Sequence, residues 1–342
     1  MGSKLMQSLF LLEPQYRERV WGGQRLKAND PPIGEAWIAF ADSRVQAGSH
    51  AGQTIAELTA IYGPELLGAE VTARFGLRFP LLIKLLDCAD WLSVQVHPND
   101  EQAARMVGPK ESGKTEAWHF LEVERGATIF AGVKAGTTSE TLAKAIREQN
   151  IINVAQQQVV QTGETYLLPA GTLHALGPGL LLYEVQQASD TTYRVYDWDR
   201  PASVARPLHV EESVAVTDPS RTPVLTPPSM VQGTAAVLGV SCPFFELLVL
   251  QIADLPFRGQ TEGRAFDLLT ATTGVVDVSC DSETIHLDRY ETILVAGRTG
   301  PYEIHSANGM AELLLATIPS RRHLSQLNTM NAMNRSTLRK AN

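Results

Sequence analysis

Residues 163–176, Gly163-Glu-Thr-Tyr-Leu-Leu-Pro-Ala-Gly-Thr-Leu-His-Ala-Leu176, read G-x5-P-x-G-x2-H. A short half-apolar strand, Tyr166 to Leu168, runs into Pro169 and Gly171, which turn the chain. His174 follows just past the turn, on the next strand or at its lip. A histidine so placed either hydrogen-bonds to its neighbours or aims an imidazole into a cavity. The segments on either side decide between the two.

Upstream, Trp91-Leu-Ser-Val-Gln-Val-His-Pro98 alternates. Ser93, Gln95 and His97 share one face of a strand; Val94 and Val96 share the other. Gln95 and His97 lie about 7 Å apart by strand rise, a spacing that lets two side chains converge on one ion. The Val face can instead turn to the core and leave the polar face to water; in a barrel the polar face lines the mouth and the valines pack outward against a second sheet. Lys114-Thr-Glu-Ala-Trp-His-Phe-Leu-Glu122 begins another strand, with Lys114, Glu116 and Trp118 on one side. His119 has the opposite parity and reads as structural or surface. Together Gln95, His97, Glu116 and His174 offer two imidazoles, a carboxylate and an amide oxygen. Such a set suits Zn²⁺ and also accepts Fe²⁺, Mn²⁺ or Co²⁺.

Downstream, Thr191 to Trp198 alternates again and puts Thr192, Arg194 and Tyr196 on one face. Arg194 either clamps an oxyanion or phosphate bidentately or pairs with Asp190, Asp197 or Asp199. Glu184, on the Tyr183-Glu-Val-Gln strand, can face the same cavity as a proton acceptor or hydroxyl anchor.

The totals bound the setting. The chain has 342 residues and a formal charge of -8, which is ample for two cores and gives no basic footprint for nucleic acid or anionic membrane. Three scattered cysteines, Cys88, Cys242 and Cys280, fit a reducing compartment rather than a disulfide framework. No apolar run reaches spanning length and the N-terminus lacks a signal pattern. These features imply a soluble cytoplasmic protein, a monomer or weak homo-oligomer.

Helices are expected from a Thr54 cap through Tyr62, from Pro98-Asn99-Asp100 through about Val107, over 138–149 after a Thr/Ser cap, and over 207–216. Phe79 to Leu86 reads as a buried apolar strand. The cluster Asp218-Pro-Ser-Arg-Thr-Pro-Val-Leu-Thr-Pro-Pro-Ser229 cannot continue a helix or sit mid-sheet. From about 239 to 319 short β-type runs recur at regular spacing. The expected division is a catalytic domain over 1–217, a Pro-rich linker or crossing over 218–234, a β domain over 235–319 and a polar tail over 320–342. His50, His209, His286, His305 and His323 have no partner pattern and read as surface or core histidines.

Taken in order, Glu18-Arg-Val-Trp-Gly-Gly, Gly34-Glu-Ala-Trp, Ser93-Val-Gln-Val-His-Pro, Gly113-Lys-Thr-Glu-Ala-Trp, Pro169-Ala-Gly-Thr-Leu-His-Ala-Leu and Tyr183-Glu-Val-Gln-Gln-Ala-Ser-Asp-Thr-Thr-Tyr-Arg-Val-Tyr-Asp-Trp resemble the short bacterial form of the type I mannose-6-phosphate isomerases, within the cupin superfamily. The resemblance covers about residues 10–216. It implies a mainly β fold of two cupin-like, jelly-roll β-barrels with a few short helices. It implies one zinc ion held by Gln95, His97, Glu116 and His174, and Arg194 as the catalytic arginine. The implied reaction interconverts mannose 6-phosphate and fructose 6-phosphate through a cis-enediolate. One departure is Trp37-Ile-Ala-Phe, where Ser or Gly commonly follows the tryptophan.

The chemistry agrees. Moving a proton between C1 and C2 needs a base and a positive centre for the developing oxyanion. Lys114 and Arg194 offer charge for a phosphorylated hexose in an otherwise acidic protein. Glu184 or a metal-bound hydroxide is the candidate base, with Lys114 as a possible proton shuttle. The competing readings are an Fe²⁺ cupin oxygenase and a non-catalytic sugar-phosphate binding protein.

Overall fold

The computed structural model describes residues 6–319 apart from 202, 203, 205, 230 and 282. The tail expected over 320–342, with His323, lies outside the described residues. Contacts divide the chain into two compact units, each discontinuous in sequence. One draws on Met1–Gln15, Ile38–Leu81 and Ser229–Asn342; the other on Tyr16–Trp37 and Leu82–Pro228.

The first of these opens with β1 (Leu9–Leu12) and takes in helices α1 (Ile55–Tyr62), α2 (Pro64–Leu67) and α3 (Ala69–Phe75). Thr54 caps α1 as expected, in a reciprocal box with Glu57. Helices α2 and α3, each flanked by glycines, carry no pattern strong enough to read in sequence.

The second unit holds the expected site. Its elements are β2 (Gln15–Gly23), β3 (Ile33–Ala39), β4 (Leu81–Cys88), β5 (Val94–Val96), α4 (Asp100–Met106), β6 (Glu116–Val123), β7 (Thr128–Val133), α5 (Ser139–Arg147), β8 (Ala155–Val159), β9 (Thr165–Leu168), β10 (His174–Leu176), β11 (Leu180–Gln187), β12 (Tyr193–Tyr196), α6 (Val210–Val216) and β13 (Val224–Thr226). They form a seven-stranded sheet ordered β13-β9-β6-β11-β4-β2-β3 and a five-stranded sheet ordered β12-β5-β10-β7-β8. A core that includes Trp21, Trp118, Phe120, Ile129, Tyr166 and Leu182 draws on strands of both sheets. On its other face the five-stranded sheet meets helices. Val94 and Val96 join Leu142 and Ile146 of α5 and Val216 of α6 in one buried cluster. The outward face of the alternating strand therefore meets helices, not the second sheet expected for it. Thr138 caps α5 with Thr141 as expected, and α4 starts where expected, its cap supplied by Asn99 with Gln102. The Pro-rich cluster supplies β13, which sits at a sheet edge, where a missing N–H is tolerated.

The chain then returns to the first unit with β14 (Ala235–Ser241), β15 (Glu246–Ile252), β16 (Phe257–Gln260), β17 (Asp267–Thr273), β18 (Val276–Cys280), β19 (Glu283–Leu287), β20 (Thr292–Val295), β21 (Pro301–Ser306) and β22 (Ala311–Thr317). A six-stranded sheet, β1-β20-β17-β22-β15-β14, and a four-stranded sheet, β16-β21-β18-β19, share a buried apolar cluster.

The two jelly-roll barrels expected from the sequence are not formed. Among the described residues each strand order runs from one edge to another, β3 and β4 pairing besides, and no pairing closes a sheet into a barrel. Six α-helices accompany the strands among the described residues. Strand rhythm and turn residues report that sheets exist; hydrogen-bonded closure depends on which distant edges meet. No described helix is long and apolar enough to cross a membrane, and the three cysteines are free thiols.

Candidate active site

Strand register brings the candidate residues together. His174 opens β10 directly opposite Gln95 on β5, and Gln95 faces Arg194 of β12 on its other side. The turn before β10 depends on Gly171, whose φ of 89° an L side chain rarely adopts. The Gly171 N–H donates to the His97 carbonyl at 2.9 Å, fastening the turn to the end of the alternating strand. Glu116, at the start of β6 in the other sheet, completes the group.

His97, Glu116 and His174 are all buried, and one potential ligand atom from each lies within 4.8 Å of the others. His97 Nε2 is 3.4 Å and His174 Nε2 is 3.1 Å from the two Glu116 oxygens. Each imidazole is oriented from behind: His97 Nδ1 meets the Thr191 carbonyl at 3.0 Å and His174 Nδ1 the Thr172 carbonyl at 2.8 Å. A carbonyl only accepts, so both Nδ1 atoms carry a proton, and each ring turns its Nε2 inward toward Glu116. Burial, followed by the Lys114 charge, pushes His97 down to about 3. Burial alone would raise Glu116, but Lys114, His174 and His97 hold it well below the usual carboxylate range. Both Glu116 oxygens and His174 Nε2 are buried without a hydrogen bond of acceptable geometry. Two inward-facing imidazole nitrogens and an ionised carboxylate, buried together, are the kind of donor set that a divalent ion takes.

Beside this cluster is a cavity of about 310 Å³. Gln95, Lys114, Glu184 and Arg194, all singled out in the sequence, line it. Lys114 Nζ is 2.9 Å from His97 Nε2 and 3.0 Å from Glu116 Oε2, so it bridges cavity and cluster. Arg194 is half-buried and makes no ion pair with Asp190, Asp197 or Asp199. Its Nε donates to Ser93 Oγ at 3.1 Å and its Nη1 to the Pro207 carbonyl at 2.8 Å. Burial and neighbouring Arg206 lower its pKa, though Asp197 opposes them. His209, which had no partner pattern, accepts the Arg194 backbone N–H at 3.1 Å. Tyr196 leaves the face it was expected to share with Arg194. The register shifts between these residues, and Tyr196 packs on the helix-side cluster.

Three cations in the cavity wall went unread. Lys84 lies within the apolar run of β4, Arg19 on β2, and Arg206 beyond β12. A single lysine in a run of buried residues was the available signal for Lys84. Arg206 donates to Ser93 Oγ at 3.1 Å and pairs with Asp197 at 2.9 Å. Five cationic side chains (Arg19, Lys84, Lys114, Arg194, Arg206) line the cavity against three carboxylates (Glu35, Glu184, Asp190), although the whole chain carries -8.

The catalytic domain of type I phosphomannose isomerases matches over residues 9–134. A mannose-6-phosphate isomerase of Streptococcus mutans is 37% identical over 255 residues, 71% of this chain and 78% of that protein. The chain belongs to the mannose-6-phosphate isomerase family. The crystal structure of the Bacillus subtilis mannose 6-phosphate isomerase superposes with a TM-score of 0.80 at 28% identity, over 91% of this chain and 99% of that one. A mannose 6-phosphate isomerase described as bound with zinc and yttrium shares the family fold, with a TM-score of 0.70 at 16% identity over 90% of this chain and 99% of that one.

Proposed function

We infer that this chain interconverts mannose 6-phosphate and fructose 6-phosphate at the cavity beside the His97–Glu116–His174 cluster. The observation that carries this reading is the juxtaposition of that buried ligand set with a net positive cavity in an acidic protein. His97, Glu116 and His174 would hold a divalent ion, with Gln95 as a fourth ligand from the same strand face as His97. We propose Zn²⁺, one per chain: the imidazole and carboxylate set suits it, and a structural relative is described with zinc bound. When bound, such an ion acts as a Lewis acid toward the sugar oxygens.

The side chains of the chain do the rest. Arg194 and Arg206, both turned on Ser93, offer a bidentate seat for the dianionic phosphate. Isomerisation passes the C2 proton of the open-chain aldose to a base in the cavity, for which Glu184 is the carboxylate candidate; the electrons left behind form the C1–C2 double bond and charge O1. The proton then returns to C1 as the O2–H proton leaves and C2 becomes the ketone. Lys114, 2.9 Å from His97 Nε2, can hold or pass a proton between O1 and O2. The Glu184 oxygens already receive Lys84 at 3.1 Å and the Trp118 N–H at 3.1 Å, an arrangement that suits a charged anchor for sugar hydroxyls. No feature of the site favours an oxygenase or a catalytically silent binder.

A coupled assay of fructose 6-phosphate consumption and formation, run on purified protein with elemental analysis, tests the reading. Turnover is expected to vanish on complete chelation and return with Zn²⁺. Full turnover after complete metal removal would refute it.

A further inference from the structure

The Gly34-Glu-Ala-Trp motif has no part in the chemistry described so far, yet Glu35 borders the cavity. Its carboxylate is held three ways. Arg19 donates Nε to Oε1 at 2.9 Å and Nη2 to Oε2 at 3.1 Å; the Trp37 indole N–H donates to Oε2 at 2.6 Å. On β4, which pairs with β3, Lys84 is 5% exposed. Its ammonium meets Gln186 Oε1 at 2.9 Å and Glu184 Oε1 at 3.1 Å, and lies 5.3 Å from the Trp37 ring centroid. Trp118 secures the other Glu184 oxygen and lies edge-on to His174, ring centroids 5.4 Å apart. Arg19, Lys84, Glu35 and Glu184 therefore form a neutral set of two cations and two anions along the cavity wall.

A buried ion network of this kind contributes little to stability compared with an apolar packing of the same volume. Its consequence is that one ammonium faces the substrate with its charge and position held. We propose that Glu35 is a positioning residue for the isomerisation: clamped by Arg19 and Trp37, it keeps the Lys84 ammonium charged and aimed into the cavity, where the enediolate oxyanion develops. The proposal rests on the isomerase reading for the identity of that oxyanion, but the Glu35–Lys84 coupling itself does not. Burial would lower the Lys84 pKa; Glu184, Glu35 and Asp190 more than offset it and raise it above its ordinary value. Lys84 burial persists without Glu35, so loss of that carboxylate drops the Lys84 pKa. The charged groups facing Lys84 are Arg19 and Glu35 from β2 and β3, Glu184 from β11 and Asp190 beyond it, with Lys114, Arg194 and Arg206 elsewhere in the cavity lining.

The test compares metal-loaded wild type, E35Q, E35D and R19Q. E35Q is expected to lose tenfold or more in kcat for mannose 6-phosphate with KM changed less than threefold and metal content unchanged. The alkaline limb of its kcat profile moves to lower pH. E35D, which keeps the charge, recovers part of the loss. R19Q, altered at a partly exposed position, loosens the clamp on Glu35 but leaves its charge, so kcat falls by a smaller factor with no move of the alkaline limb to lower pH; it serves if E35Q does not fold. In parallel, NMR of ¹³Cε-lysine-labelled protein, with the Lys84 signal assigned through K84R, should show Lys84 titrating at lower pH in E35Q than in wild type. Unaltered kcat and pH profile in folded E35Q, unaltered kcat in R19Q, or a Lys84 titration unmoved in E35Q would overturn the proposal. A wild type with no isomerase turnover would instead sink the isomerase reading, and the Lys84 titration would still decide the coupling.

Discussion

Under the proposed reading His174 and Arg194 have separable roles. His174 gives an inward Nε2 whose orientation Thr172 sets, and nothing else buried there replaces it. His174→Ala should lose bound metal and turnover together. Arg194 is bound to Ser93 and the Pro207 carbonyl, away from the ligand cluster. Arg194→Ala should retain metal and unfolding midpoint while kcat/KM falls about 10- to 100-fold, the scale of losing one charged donor to the phosphate. Elemental analysis beside steady-state kinetics separates the two; equal metal loss in both variants would show the division to be wrong. These two side chains were legible because each follows a distinctive pattern, the G-x5-P-x-G-x2-H turn and an alternating strand. Lys84 was not. A lysine in Leu81–Cys88 reads as an interruption of an apolar strand until Glu184 and Gln186 are seen beside it on β11.

Backbone packing places Glu116. A Cβ on Gly113 would lie 2.5 Å from the Asn99 carbonyl carbon and the Asp100 nitrogen, both backbone atoms. Gly113→Ala can be accommodated only by moving the segment that carries Lys114 and Glu116. It should destabilise by about 1–3 kcal/mol and weaken metal retention; calorimetric unfolding with metal titration checks both, and wild-type metal affinity would contradict the account. Further along β6, His119 has the parity that turns it away from the cluster. It is buried with Nδ1 at 2.8 Å from Thr165 Oγ1. Burial pushes His119 down to about 4 from 6.5. Between those values the unfolded chain binds the extra proton, so stability is complete above about pH 6.5 and is lost as pH falls toward 4, by about 3 kcal/mol from this group. In His119→Gln the unfolding midpoint should fall less steeply than in wild type between pH 6.5 and 4.5. Parallel slopes would show that the histidine is not titrating there. The caps on α1 and α5 were readable because capping is local, a side chain reaching its own first turn. The bulge that removes Tyr196 from the face of Arg194 was not, because a two-residue period carries no trace of a slipped register.

For the molecule as a whole, metal and fold are linked. The native site assembles ligands from β6, β10 and the end of β5, which no unfolded chain holds together, so binding favours the folded state. With free metal at about 100 times its Kd the gain is about 2.7 kcal/mol, which should raise the unfolding midpoint by roughly 5 °C or more relative to chelated protein. Differential scanning calorimetry checks this, and the shift should be missing in His174→Ala. A metal-independent wild-type midpoint would mean that the cluster does not bind the ion in the native state. The same need for distant partners explains the corrected fold. Local pattern announces strands, turns and caps, but whether a sheet closes depends on edges far apart in sequence. Here the strand orders run open, and helices cover the face that Val94 and Val96 present.

From sequence alone came the ligand types, the family and most helix starts, since these follow from residue chemistry, ordered motifs and contacts within a few positions. Tertiary structure alone decided that the sheets stay open and that Lys84, Arg19, Arg206 and Glu35 join the cavity wall. Those outcomes depend on which buried charges meet across strands, and in a low-dielectric interior an ion's role is set by its neighbours in space rather than along the chain.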